Sequence, residues 1–115
     1  MNAEELKTRT KEFAKRIIRL CRSLPRSRES RLIGDQVFRS GTSVGANYRA
    51  ACRGRSKAEF IAKLGVVLEE ADESLYWLEL LVETDIVSAP KLVPLMQESR
   101  ELVAIFVASM NTAKR

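Results

Sequence analysis

Lysine and arginine recur along the start of the chain as Lys7, Lys11, Lys15, Arg19 and Arg22, at spacings of four, four, four and three. On an α-helix this spacing lines five cations along one face. Arg26, Arg28 and Arg31 carry the charge further, and Arg49, Arg53, Arg55 and Lys57 form a second group. The chemistry that such a track serves is the binding of a polyanion. Each ammonium or guanidinium that neutralises a phosphate releases a condensed counterion, and RNA or DNA is held without base reading. The plain alternative is a solvated face, partly neutralised by Glu4, Glu5, Glu12 and Glu29. Aromatic stacking residues are absent from this surface, so stacking of single-stranded bases is not expected.

The other reactive residue types point away from catalysis. The chain has no histidine, which removes Ser-His-Asp and Cys-His chemistry, the ordinary zinc sites and the Glu-x-x-His iron sites of helical bundles. Cys21 and Cys52 stand alone and read as small hydrophobes, not as a metal or redox pair. Glu69, Glu70, Asp72 and Glu73 fall on nearly successive helical positions and point in different directions. They read as a solvated acidic face or an interface edge that pairs with arginines of a neighbouring subunit. Asn47 reads as a buried polar residue that bonds across helices and fixes their register. The expectation is a protein that is not an enzyme, with no cofactor and no metal.

Charge is unevenly divided. Residues 1–63 hold 16 Lys/Arg against 6 Asp/Glu, and residues 64–115 hold 4 against 9. A basic half joined to an acidic half suggests a polyanion partner, self-association or both. No apolar run approaches the roughly 20 residues that span a bilayer. The charged, periodic N-terminus is unlike a signal peptide, so a cytoplasmic protein without a membrane partner is expected.

These residues must be positioned by helices. The chain of 115 residues has 5 Gly and 3 Pro, and is rich in Leu, Ala, Glu, Lys and Arg, all good helix formers. A first helix is predicted from about Glu4 to Leu24, with Leu6, Thr10, Phe13, Ile17, Leu20 and Leu24 on its inner face; Pro25 ends it. A second is predicted from Ser27 or Ser30 to Arg53. Its unusually small inner face carries Ile33, Val37, Ser40, Val44, Asn47 and Ala51, and Gly54 is the expected left-handed stop. A third opens on the capping box Ser56-Lys57-Ala58-Glu59, carries Ile61, Leu64, Leu68, Ala71, Leu75, Leu78 and Val82 inward, and ends near Thr84 or Asp85. A fourth begins at about Lys91, which leaves Pro94 in the first turn where amides lack partners. Its inner face is Leu92, Met96, Val103, Phe106 and Met110, with Leu95 and Leu102 beside them. Short connections make consecutive helices antiparallel. The expected architecture is therefore all-α, a single antiparallel up-down-up-down four-helix bundle. In that topology Cys21 and Cys52 lie roughly 30 Å apart along helix two, too far for a disulfide.

On the outer side of the third helix, Val66, Trp77, Leu80 and Leu81 point away from the predicted stripe, and Phe38 on the back of the second is placed with them. A helix that is apolar nearly all round is buried on more than one side. These five residues are the expected homo-oligomer interface; a broad internal core is the alternative.

From Thr42 to Leu81 the chain reads TSVGANYRAACRGRSKAEFIAKLGVVLEEADESLYWLELL. It resembles the 23S rRNA-intervening-sequence proteins, which pair an R…S-[VI]-x-x-N pattern late in helix two with S-x-x-[ED]-F opening helix three. Here these are Arg39, Ser43, Val44 and Asn47, then Ser56, Glu59 and Phe60. The resemblance implies a small bundle, often a homopentamer. Some members are encoded within insertions of bacterial 23S rRNA genes, and a distant relative is an accessory protein of diversity-generating retroelements that binds nucleic acid and a reverse transcriptase. The combined expectation is a non-catalytic homo-oligomeric binding protein that engages nucleic acid or a nucleic-acid-processing partner through Lys7, Lys11, Lys15, Arg19, Arg22, Arg49, Arg53, Arg55 and Lys57. The alternative is a structural protein–protein interaction module.

Overall fold

In a computed structural model that describes residues 1–115, four helices follow one another: α1 (Ala3–Ser23), α2 (Arg28–Cys52), α3 (Lys57–Glu83) and α4 (Ala89–Ala113). There is no strand, and the molecule measures 45 × 20 × 19 Å. Side-chain caps begin three of the helices. Asn2, Ser27 and Ser56 accept from the amides of Glu5, Ser30 and Glu59 at 2.8, 3.2 and 3.1 Å, which satisfies donors that a helix start leaves orphaned. Glu59 does not return the bond, so only half of the expected capping box forms. The turns occupy residues 24–27, 53–56 and 84–88, which forces each helix back along its predecessor.

Contacts across the helices confirm the antiparallel order. Gly34, Gly41 and Gly45 of α2 face, in reversed sequence, Leu24 just past the end of α1 and Ile17 and Thr10 within it. Ser40 of α2 lies against Ser74 of α3, and Gly65 of α3 faces Met110 of α4. The small face of α2 is therefore the seat of α1, since glycines at these positions let two backbones approach where a Cβ would collide.

The core is built from Leu6, Phe13 and Ile17 of α1, Val37, Val44 and Tyr48 of α2, Leu64, Val67, Leu78 and Leu81 of α3, and Leu92, Leu95, Leu102 and Phe106 of α4. Buried Ser and Thr hydroxyls include Thr10 of α1, Ser40 of α2, Ser74 of α3 and Ser99 of α4, while Ser30 in the first turn of α2 is buried with its hydroxyl unpartnered. The Thr10, Ser40, Ser74 and Ser99 hydroxyls donate to the carbonyls four residues earlier, at Leu6, Gln36, Glu70 and Leu95 (2.8–3.1 Å). The Ser40 and Ser74 oxygens are also 3.1 Å apart. Burial without a partner would cost about 1–3 kcal/mol per group; the local bonds remove that cost at these four residues.

The inner faces of α1 and most of α2 match the expected stripes, whereas α3 and α4 are turned. On α3 the buried positions are Leu64, Val67, Ala71, Ser74, Leu78 and Leu81, while Ile61, Leu68, Leu75 and Val82 are only half-buried. On α4 they are Leu92, Leu95, Ser99, Leu102 and Phe106, while Met96, Val103 and Met110 sit at the margin. The cause is that both true stripes run through a serine, and a reading by hydrophobicity steps to the leucine or methionine beside it. Asn47 is likewise half-buried and donates to the Ser43 carbonyl of its own helix at 2.8 Å instead of bonding across helices.

Two helix ends also differ from expectation. Gly54 does not adopt a left-handed backbone; a Cβ there would lie 3.1 Å from the Ala51 carbonyl oxygen and 3.2 Å from the Phe60 nitrogen, so close approach is what the turn needs from glycine. The left-handed residue is Asp85, with φ 61°. Its amide bonds Val82 and the Ile86 amide bonds Leu81, both at 3.0 Å, which closes α3 with the paired 5→2 and 6→1 bonds of a left-handed cap. Because a side chain in that conformation carries a steric cost, Asp85→Gly is expected to raise stability by about 0.5–1 kcal/mol, read as a higher chemical-denaturation midpoint with an unchanged slope. A lower midpoint would mean that the Asp85 side chain stabilises the turn in a way its backbone does not disclose. Pro94 lies at the sixth position of α4, because the helix starts at Ala89 and not Lys91. The cost is one bond, to the carbonyl of the exposed Pro90, which water can take.

Candidate nucleic-acid interface

Antiparallel packing changes how the basic residues group. The N-terminal half of α1 lies beside the C-terminal half of α2, so the two cation groups of the sequence become neighbours. Lys7 and Lys11 meet Arg49 across a shallow groove of about 180 Å³, whose floor is Ala14, Thr42, Gly45 and Ala46. No carboxylate lines it. Arg53 and Arg55 stand exposed at the adjoining corner, and Lys57 donates to the terminal Arg115 carbonyl at 2.8 Å.

The remaining predicted cations are not equivalent. Lys15 is 2.8 Å from Glu12, and Lys7 is 3.0 Å from Glu4. The hydrogen bond from Lys15 holds the exposed Glu12 carboxyl below its ordinary range. Lys11, Arg19, Arg22 and Arg49 are exposed and form no ion pair. Lys7 is half-buried on the α2 side of α1 and not opposite the core. Arg19 and Arg22 lie at the far end of α1, so the nine residues form a groove and corner at one end with a thinner tail toward the other.

Two arginines outside the predicted set have structural partners. Arg9 makes a two-pronged bond to Glu98 at 2.8 and 2.7 Å and a further bond to Glu101 at 2.8 Å, which clasps α1 to α4. The Glu98 bond raises the already high guanidinium pKa. Arg39 reaches Glu70 at 3.2 Å and also bonds Glu73, so these two acids of α3 are met within the chain by α2. The acidic residues do not converge: no group of three His, Cys, Asp or Glu is placed to hold a metal ion. Both cysteines are free and half-buried. Burial pushes the Cys21 thiol up, Asp35 adding to the effect.

The expected oligomer face is partly redrawn. Leu81 is fully buried in the chain's own core and is not available to a partner. The leucine pattern of α3 places it outside only because that pattern is out of phase with the true stripe through Ser74. Phe38 is 45% exposed but lines a cleft between α1 and α2 with Cys21, Leu24 and Arg31, to which α3 contributes nothing. Trp77 and Leu80 are half-buried, and Val66 is exposed. Tyr76, unmarked in the sequence because tyrosine is common on surfaces, is 54% exposed and packs edge-on to Trp77 with ring centres 5.1 Å apart. No helix is long and apolar enough to cross a membrane.

Four antiparallel helices with a glycine-lined α1–α2 contact and a basic end define a small helical-bundle protein. The family description of the 23S rRNA-intervening sequence proteins matches residues 4–108, and the chain belongs to that family. The chain is also similar to a protein of unknown function from the S23 ribosomal protein family of Bacteroides thetaiotaomicron. That likeness has 36% identity and a TM-score of 0.85, and covers 90% of this chain and 96% of the other. No curated protein matches the chain.

Proposed function

We propose that this is a non-catalytic, homo-oligomeric protein of the cytoplasm that engages nucleic acid, or a nucleic-acid-processing partner, through the basic end of the α1–α2 pair. The observation that carries this reading is the convergence of Lys7, Lys11 and Arg49 on a groove without carboxylates, continued by Arg53 and Arg55. Phosphates bind such a surface through charge alone, so affinity is sequence-tolerant and falls steeply with salt.

Self-association is supported by the outer face of α3. Val66 and Tyr76 are exposed there at 41% and 54%, next to Leu80, and a homopentamer is the assembly that the family resemblance implies. Identical basic ends on a ring act together and multiply weak contacts. A structural interaction module is favoured instead if this apolar face is the only surface that finds a partner.

The test is a filter-binding titration with RNA and DNA over a salt series. Reversing Lys11, Lys15 and Arg19 together is expected to weaken binding to every nucleic acid and to flatten the salt slope by roughly one unit for each phosphate no longer neutralised. Reversing Lys11 and Arg49 should do more than reversing Lys15 and Arg19, because Lys15 is already neutralised by Glu12. Circular dichroism is expected to stay unchanged, since these side chains lie outside the core. Absence of affinity at low salt, or equal binding by the variants, removes the nucleic-acid reading and leaves the interaction module. For the assembly, light scattering of Val66→Glu/Tyr76→Glu should show a smaller particle than wild type. A wild-type monomer at tens of micromolar would end the oligomer reading.

A further inference from the structure

Beyond the α1–α2 groove, the opposite seam of the bundle carries a second cation cluster. α1 and α4 touch closely at few points. The Arg9 clasp to Glu98 and Glu101 holds them midway, and beyond it the seam opens into a cleft of about 320 Å³, toward the end of α1 and the start of α4. Its walls divide by chemistry. Leu20, Val87, Leu92 and Leu95 form an apolar floor, and Arg16, Arg19 and Lys91 stand around it with Ser23. No carboxylate lines the cleft, and none of the three cations has an acidic partner within 4.0 Å. Glu12, one helical turn from Arg16, is turned to Lys15.

The remaining clefts differ. The one at the α1–α2 turn holds Asp35, and the one at the N-terminus holds Glu4 and Glu5. Three unpaired cations over an apolar floor call for a ligand that is anionic at one end and apolar along its body. The charge calls for a phosphate more than a carboxylate, because two guanidinium forks and an ammonium exceed what a single negative charge satisfies. The body calls for a planar ring, whose flat apolar face can lie on the floor of Leu20, Val87, Leu92 and Leu95, because the cleft is open, unlike the enclosed pocket an acyl chain fills. The volume lies at the small end of the roughly 300–1,000 Å³ typical of ligand pockets, room for one mononucleotide.

We infer that the α1–α4 cleft is a binding site for a nucleoside monophosphate or a chemically equivalent organic phosphate, with its ring on Leu20, Val87, Leu92 and Leu95 and its phosphate on Arg16, Arg19 and Lys91. This site is separate from the groove at Arg49. Arg16 and Lys91 belong to it alone, so the two readings stand or fall apart.

The experiment uses the full chain with adenosine monophosphate, adenosine, inorganic phosphate and decanoate as probes, followed by calorimetry and by methyl NMR. Adenosine monophosphate should shift the methyl signals of Leu20, Val87, Leu92 and Leu95 to saturation. It should bind roughly tenfold or more tightly than adenosine or inorganic phosphate, a difference of one decade in Kd. Arg16→Gln/Lys91→Gln should lower that affinity by a similar factor with an unchanged thermal midpoint, Arg19 being left in place so that the polyanion track is intact. No methyl shift at millimolar nucleotide, inorganic phosphate binding as tightly as the nucleotide, decanoate binding more tightly than the nucleotide, or undiminished affinity in the double variant would each overturn the assignment.

Discussion

Leu78→Ala is expected to cost about 2–5 kcal/mol of stability, while Leu75→Ala, three residues earlier, should cost only about 1–1.5 kcal/mol. The two leucines are chemically identical and lie on the same helix. They differ in where α3 turns them. Leu78 is fully buried among the core side chains, and Leu75 is half-buried at the margin. Truncating Leu78 removes the transfer free energy of three carbons and leaves a cavity that its neighbours fill only in part. Truncating Leu75 exposes less apolar surface and opens a gap that solvent reaches. Against a total stability of about 5–15 kcal/mol for a small domain, the first change removes a large share. Urea melts of both variants check this, with the slope tested for constancy so that the midpoint shift reads as stability. Equal costs, or a larger cost at Leu75, would mean that α3 packs in the phase its leucine pattern suggests and not in the phase that buries Ser74.

This pair shows what was legible in the chain. Helix number, order and ends could be read within a residue or two, because caps and stops are local: Ser56 and Pro25 act on their immediate neighbours. The inner faces of α1 and most of α2 were legible because polar residues bound them clearly. On α3 and α4 apolar residues surround most of the helix, so hydrophobicity alone does not select a phase. The selection is tertiary: Ser40 of α2 leaves room for a small residue opposite, and Ser74 fills it. The same holds for the candidate site. The cations of α1 and the Arg49 corner were visible as two clusters, but their meeting at one end depends on the antiparallel packing of α1 and α2. Arg9 and Arg16 gave no local signal, since nothing in spacing distinguishes the arginine that clasps Glu98 from the one that lines an open cleft. Asp85 was illegible for another reason: glycine is the usual left-handed cap, and the residue that takes this role here lies at a different turn from the expected Gly54.

The strongest test of the α1–α2 contact compares two glycines. In a helix interior Gly→Ala normally gains about 0.5–1 kcal/mol by restricting the unfolded chain and improving helix propensity. At Gly65 of α3 that gain should appear in full, because a Cβ there would meet only the Met110 Cε, at 3.8 Å. At Gly41 a Cβ would lie 2.6 Å from Ile17 Cγ1 and 2.9 Å from Cγ2. Ile17 is fully buried, and its β-branch leaves one strongly preferred rotamer in a helix, so it cannot swing aside. The helices must part instead, and overpacking of this kind costs about 1–3 kcal/mol. Gly41→Ala is therefore expected to be destabilising by up to about 2 kcal/mol net, and Gly41→Leu by more, with loss of the cooperative transition as the α1 seat is forced open. A second substitution separates crowding from any other defect. Ile17→Ala alone should cost about 2–5 kcal/mol, but in the Gly41→Ala background it also removes the clash, so the double variant should be more stable than the sum of the singles by about 0.5–3 kcal/mol. Additive costs, or a Gly41→Ala protein as stabilised as Gly65→Ala, would show that α1 does not rest on α2 at this glycine. The groove that brings Lys7 and Lys11 to Arg49 depends on that same approach, so Gly41→Leu should also weaken any polyanion binding even though it removes no charge.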